Sequence, residues 1–252
     1  MKRALALVAA LAVAAAVGDD AAGATPDRQA RVLLITETAG FEHDVIPTAR
    51  RTLGDLGARS RRYRVIDRVG VGELRPSRLR RYDAVIFALT SGELRLNAAA
   101  RRGLVRFVQR GGGFVGVHSA TDTLYGYPPY GRLVGAYFRD HPYSEGRLVR
   151  TGVRHPATAR MPRRSAVREE LYRFRTDPRA VGARVLLRLD PATVPGAAPG
   201  EFLPIAWCRR VGRGRVYYNA LGHFPATWRS GRFRAQLDGA IAWAAGARAG
   251  AC

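Results

Sequence analysis

Three of the chain's five histidines come after short apolar runs: His43 in TETAGFEHD, His118 in GVHSATD and His223 in YYNALGH. Imidazoles gathered from separate elements, with a carboxylate beside them, suit a divalent-metal site or general acid–base catalysis. The carboxylate candidate lies in REELYRF at 168–174. Adjacent residues of a strand point to opposite faces, so of Glu169 and Glu170 one enters a cleft while the other is solvated, and Glu170 is the inward choice. His118, His223 and Glu170 are therefore the expected catalytic residues and metal ligands, with zinc the expected ion. His43, Ser119, Asp122, Tyr125 and Asn219 are the expected substrate contacts. No H-x-H or H-x-x-x-H pair occurs, so a ligand set has to be assembled by the fold.

Gly116-Val117-His118-Ser119-Ala120 has the shape of a strand-to-helix elbow, where hydrolases of α/β architecture place a nucleophile. Here a histidine takes the position, and no cysteine is near, which excludes thiol amidotransferase chemistry. A serine triad of Ser119, His223 and a carboxylate is the competing reading, but the pattern is not G-x-S-x-G. Tyr125, Tyr127, Tyr130, Tyr137 and Phe138 follow closely. Such flat faces serve either sugar rings or core packing.

The elements that must carry these residues alternate in type. RVLLIT at 31–36, Arg62–Ile66, YDAVIFAL at 82–89 and FVGVH at 114–118 read as buried strands. Val45, Ile46, Ala49, Leu53 and Leu56 recur at helical spacing before Gly57, and Asn97 caps a second helix that ends at Gly111–Gly113. Those glycines precede a strand, so they form a turn and no nucleotide cradle. Strand and helix alternation predicts an α/β fold with a doubly wound, mostly parallel sheet, whose ligands sit beyond the strand carboxyl ends. The second half is richer in strands: Leu148–Val153, Glu170–Phe174, Arg184–Leu189, Phe202–Cys208 and Arg215–Leu221, with a helix capped by Ser230 at the end. It reads as a β-rich insertion within one domain.

Lys2-Arg3, an apolar run from Ala4 to Val17 and Ala22-Gly23-Ala24 have the layout of a secretory signal peptide. Expected boundaries are 1–24 for the signal, 25–30 for a linker, 31–246 for the domain and 247–252 for a tail, with an exported address. No other segment is apolar enough to span a bilayer. The net charge of +22 suggests a polyanion partner, yet one lysine stands against 41 arginines, scattered through every segment. That bias has the look of coding composition, and no nucleic-acid motif accompanies it. With 47% hydrophobic residues, the chain has the means to bury a core, which excludes a disordered, collagenous or disulfide-framework protein. Cys208 and Cys252 can bridge in an oxidising compartment, although a terminal residue ordinarily frays.

Several segments together resemble the ThuA-like family, the trehalose-utilisation proteins related in fold to class I glutamine amidotransferases. They are AGFEHDVIP at 39–47, QRGGGFVGVHSATDT at 109–123, LVGAYFRDHP at 133–142, HPATARMP at 155–162, REELYRF at 168–174 and RVYYNALGHFPATWRSGRF at 215–233. The resemblance implies a flavodoxin-like, amidotransferase-like sheet whose thiol nucleophile has been replaced. It also implies carbohydrate catabolism, on sugars or oxidised (3-keto) glycosides, in a cleft built from His43, His118, Asp122, Glu170 and His223. His141 and His155 belong to the same pattern as structural residues. Glu42 stands where the family commonly has a basic residue. The expected function is a sugar-active hydrolase or lyase; the alternatives are a sugar-binding module without turnover and a polyanion or nucleic-acid binder.

Overall fold

One sheet of nine strands runs through the molecule, and its two halves differ in direction. In this computed structural model the described residues are 28–252 apart from Val69, so the signal-peptide segment lies outside them. β1 (Ala30–Ile35) sits between β2 (Tyr63–Asp67) and β3 (Ala84–Ala88), and β4 (Gly113–Val117) pairs with β3, all in parallel. β3 and β4 are buried at every position, as strands covered by helices on both faces must be. The crossovers are α1 (Ile46–Arg59) and α3 (Ala98–Gln109), the latter capped by the Asn97 side chain accepting from the Ala100 N–H at 2.9 Å.

β11 (Gly214–Asn219) extends the parallel half beside β4. Beyond it come β10 (Leu203–Val211), β9 (Arg184–Leu189), β6 (Tyr143–Arg150) and β7 (Arg164–Glu170), each antiparallel to its neighbour. The sheet order is β2-β1-β3-β4-β11-β10-β9-β6-β7. The β-rich second half is thus a continuation of the first sheet rather than a body of its own. The run expected as one strand from Glu170 to Phe174 is split. β7 stops at Glu170, and Arg173–Phe174 forms β8, which pairs with β5 (Phe138–Asp140) in a separate two-stranded ribbon. Three helices are short: α2 (Pro76–Leu79), α4 (Pro128–Val134) and α5 (Pro225–Arg229), each opened by a proline whose fixed φ favours a first turn.

α6 (Gly231–Ala244) follows Ser230, which occupies the capping position without a side-chain bond. It buries Phe233, Leu237, Ile241 and Trp243. Trp207, Trp228, Tyr217, Tyr218, Phe87 and Phe114 are also fully buried. At about 1.5–3 kcal/mol for each large side chain removed from water, this core sets the frame on which the site is built. Cys252 does not fray. It is bonded to Cys208 on β10, and the Trp243 indole N–H donates to the Gly250 carbonyl at 3.0 Å. Among the described residues no helix is long and apolar enough to cross a membrane.

Candidate functional site

The carboxyl ends of β1, β3, β4 and β11 are neighbours, and three of them release the loops that hold histidines. β1 leads to His43, β4 directly to His118 and β11 to His223. Gly92 ties the rim together after β3: its N–H donates to the Asp122 carbonyl at 2.7 Å, and its φ is +69°. A Cβ there would fall 2.6 Å from the Gly40 nitrogen, so the two loops approach this closely only because residue 92 is glycine.

His118 occupies the elbow itself, with φ +55°, a conformation that costs a non-glycine residue of order 1–3 kcal/mol and has to be held by its surroundings. The holding contacts are visible. Its carbonyl accepts from the Tyr218 hydroxyl at 2.7 Å, and its Nδ1 lies 2.8 Å from the Ala220 carbonyl. A carbonyl only accepts, so Nδ1 carries the hydrogen and, in the neutral ring, Nε2 presents a lone pair. That lone pair faces His43 Nε2 at 3.1 Å, Glu170 Oε2 at 3.4 Å and the Tyr172 hydroxyl at 3.3 Å.

Glu170 reaches this rim from β7, the far edge of the sheet. Its Oε1 is 3.1 Å from His223 Nδ1 and 3.4 Å from His141 Nε2. Glu169 is not solvated, as the sequence reading had it, but wholly buried. Its carboxylate accepts from the backbone N–H groups of Gly222 (3.0 Å) and His223 (3.3 Å) and from the Thr227 hydroxyl. The alternation argument holds in that the two side chains diverge. It misleads in equating the second face with water, because α5 and the 220–223 loop cover it.

The electrostatics push these groups apart. Burial, reinforced by His118 and His223, lowers His43 to about 3, so its ring is neutral at pH 7. The Glu170 carboxylate raises His223 against the opposing effect of burial. Glu170 itself is pushed up by burial, but a proton donated by the cationic form of His118 and by His223 outweighs this and holds it well below the ordinary carboxylate range.

One ligand atom from each of His43, His118, Glu170 and His223 lies within 4.8 Å of all the others, so the group can hold a metal ion. Donor chemistry fits: imidazole nitrogens with one carboxylate are a zinc-type set. The Nδ1–H of His118 is anchored to a carbonyl, as outer-shell support of a metal-bound histidine usually is. His43 Nδ1 is buried without a partner.

The other expected site residues fall differently. Asp122 is half-buried, accepts from the Tyr125 hydroxyl at 2.7 Å and is raised by burial, against the effect of that bond. Tyr125 also donates to the Phe138 carbonyl and lies beneath the Arg175 guanidinium, 4.2 Å from its ring. Asn219 is buried, its amide donating to Tyr217 and Gln236 and its oxygen accepting from the Leu221 N–H. Ser119 Oγ is buried with no hydrogen-bond partner, so nothing activates it as a nucleophile. His141, expected as structural, stands at the cluster. Tyr172 was not singled out from the sequence, since its place beside His118 depends on the break between β7 and β8.

A flavodoxin-like, class I amidotransferase-like α/β domain, with a histidine at the nucleophile elbow and a His/Glu group at its rim, is the class of protein that fold and site define. The chain belongs to the ThuA family, described as trehalose utilisation, which matches residues 31–244. Among solved structures it is similar to a ThuA-like protein from Bacteroides uniformis ATCC 8492 (21% identity, 89% of this chain and 94% of that one, TM-score 0.72). A ThuA-like protein from Parabacteroides merdae ATCC 43184 is also similar (20% identity, 86% and 90% coverage, TM-score 0.67). A β-galactosidase from Rahnella sp. R3 shares the fold over 86% of this chain and 31% of its own length (16% identity, TM-score 0.53). No curated protein matches the sequence.

Proposed function

We propose that the chain is an exported sugar-active enzyme, a hydrolase or lyase of glycosides or their 3-keto forms, working through the His43–His118–Glu170–His223 group. The observation that carries this reading is the convergence of four ligand atoms within 4.8 Å at the carboxyl rim of the sheet. Family membership supports a carbohydrate substrate, and the Cys208–Cys252 disulfide supports an oxidising compartment.

Environments that separate pKa values assign acid and base. Neutral His43 offers an acceptor, and His223, raised by Glu170, offers a proton. In a 3-keto glycoside the carbonyl acidifies the hydrogen on C2. A base removes that proton, the electron pair passes into the enolate, and the C1–O bond breaks as the departing oxygen takes a proton from the acid. A divalent ion, zinc by donor type, would be held by His43, His118, Glu170 and His223 and would supply Lewis-acid stabilisation of the developing oxyanion. The ion and the acid–base roles of His43 and His223 draw on the same groups, so the acid–base assignment describes the cluster without the ion.

Metal analysis of the purified protein together with turnover of 3-keto glycosides tests the reading. About one divalent ion per chain is expected, with a loss of roughly 100-fold or more in kcat/KM for His118→Ala. Metal-free protein whose activity survives that substitution overturns it.

A further inference from the structure

A hollow of about 910 Å³ opens at the other end of the sheet from the His/Glu group. Residues 59–62 border it and lead into β2 at its amino end, whereas the histidines stand at carboxyl ends of the parallel strands. Six of its thirteen lining residues are arginines: Arg59, Arg61, Arg62, Arg160, Arg234 and Arg248. Across the chain arginine is only 41 residues of 252. The six come from α1, the approach to β2, the turn after Pro156–Thr158, α6 and the C-terminal strap. Spacing along the sequence therefore gives no sign that they meet.

The one acidic residue of the lining is already engaged. Asp238 accepts from the Arg62 guanidinium at 2.7 Å and from the Tyr63 hydroxyl at 3.0 Å. Among the described residues none supplies a hydrogen bond or ion pair to the other five guanidinium groups. Ser60, also in the lining, is only 8% exposed. Its Oγ accepts from the N–H groups of Arg62 (3.2 Å) and Tyr63 (3.4 Å), so its own hydrogen is left to donate to a ligand. The walls are fixed: a Cβ on Gly239 of α6 would collide with the Pro156 carbonyl. The Arg248 carbonyl accepts from the Arg215 guanidinium at 3.2 Å, four residues before the Cys208–Cys252 bond closes the strap.

Five unpaired cations around one hollow repel each other, and an anion of matching charge relieves that repulsion. Guanidinium forks fit phosphate oxygens two at a time. A phosphate group carries about −1.5 to −2 at pH 7, so five cations match about three such groups. The volume lies within the range of roughly 300–1,000 Å³ that encloses compact ligands. We infer that this hollow is a binding site for a compact ligand carrying two or three clustered phosphate groups. It does not depend on the reading of the His/Glu group as sugar-active.

Calorimetric titration of the full-length protein with sodium tripolyphosphate, and with orthophosphate for comparison, tests the site. About one tripolyphosphate per chain is expected, bound at least about tenfold more tightly than orthophosphate. Arg234→Gln combined with Arg248→Gln is expected to weaken it by at least about tenfold. Arg164→Gln combined with Arg184→Gln removes the same charge from exposed positions on β7 and β9 and should change affinity by less than about twofold. Tripolyphosphate should raise the melting temperature of the wild type, and the ligand-free Arg234/Arg248 variant should melt no lower than wild type, which separates lost binding from lost folding. Equal losses in the two double variants, or no preference over orthophosphate, would reduce the binding to general charge attraction and overturn the site. Duplex DNA and phosphatidylglycerol vesicles present the same chemistry on a polymer and on a membrane. If either binds more tightly than tripolyphosphate, and loses that binding with Arg234 and Arg248, the compact ligand is overturned.

Discussion

Glu169 shows how a buried residue behind the rim can decide whether the His/Glu group assembles. Its buried carboxylate gathers two backbone N–H groups and the Thr227 hydroxyl, and these fix the turn that presents His223. Gly222 in that turn has φ +135°, so the loop has no helical or sheet ladder of its own to hold it. Glu169→Gln keeps the shape but replaces one acceptor oxygen by a donor, leaving at least one buried N–H or O–H unpaired. A loss of about 1–3 kcal/mol is expected in urea unfolding, with a larger fall in kcat/KM than the same destabilisation causes at a remote core position. If activity per folded molecule is unchanged, Glu169 serves packing alone. Much at this scale was legible in advance: the three histidines at strand ends and the inward Glu170 needed only spacing and alternation. Glu169 was misjudged because its burial comes from elements whose course is set by tertiary contacts, and the same holds for the nearness of His141 to Glu170, which spacing did not announce. Asn219 and Ser119 were expected at the substrate because they sit at a strand end and an elbow, yet spacing does not say which way a side chain turns.

Elements carry the next level. β1, β3 and β4 were readable because strands buried on both faces leave uninterrupted apolar runs, and Asn97 announced α3 by its capping chemistry. The edge position of β7 was not readable, since nothing in Arg164–Glu170 specifies that β6 and β9 will stand between it and β10. Yet it is from that edge placement that Glu170 reaches His118. A second element is fixed by a histidine outside the cluster. His155 caps the turn at Pro156–Thr158, its Nδ1 accepting from the Ala157 N–H at 3.1 Å, and it packs between Tyr217 and Trp243. Burial, with a smaller effect of Arg248, lowers it to about 4. The folded state thus declines a proton that the unfolded chain takes up near pH 6.5. Unfolded molecules bind more protons between those values, so stability falls as pH drops from about 6.5 to 4, by a total of roughly 3 kcal/mol. His155→Asn retains an acceptor for the Ala157 N–H and should flatten that part of the stability–pH curve. A curve of unchanged slope would assign the acid sensitivity to other groups.

For the molecule as a whole, the C-terminal strap raises a question of stability that composition alone misplaces. A net charge of +22 repels itself, and 20 acidic residues cannot pair with 41 arginines, so compactness has to come from the core and from covalent closure. The Cys208–Cys252 bond closes 44 residues. That loop contains β11, α5 and α6, and therefore the strand end that delivers His223. In the chain-entropy account a closure of this length stabilises by up to about 4 kcal/mol. Little in the sequence announced it, because a terminal cysteine has no turn or strand around it and is placed by tertiary contacts, among them the Trp243 indole on the Gly250 carbonyl and the Arg215 guanidinium on the Arg248 carbonyl. Removing the bond by Cys252→Ser, or by reductant, is expected to lower the melting temperature by roughly 10 °C for a chain of this size. Reductant should then have no further effect on the variant. The loss should also draw together two measurements that are otherwise independent: the melting temperature, and protection of amides in α6 from hydrogen exchange. Reduced and oxidised protein melting at one temperature, with equal protection in α6, would show that the strap holds by packing without the sulfur bridge.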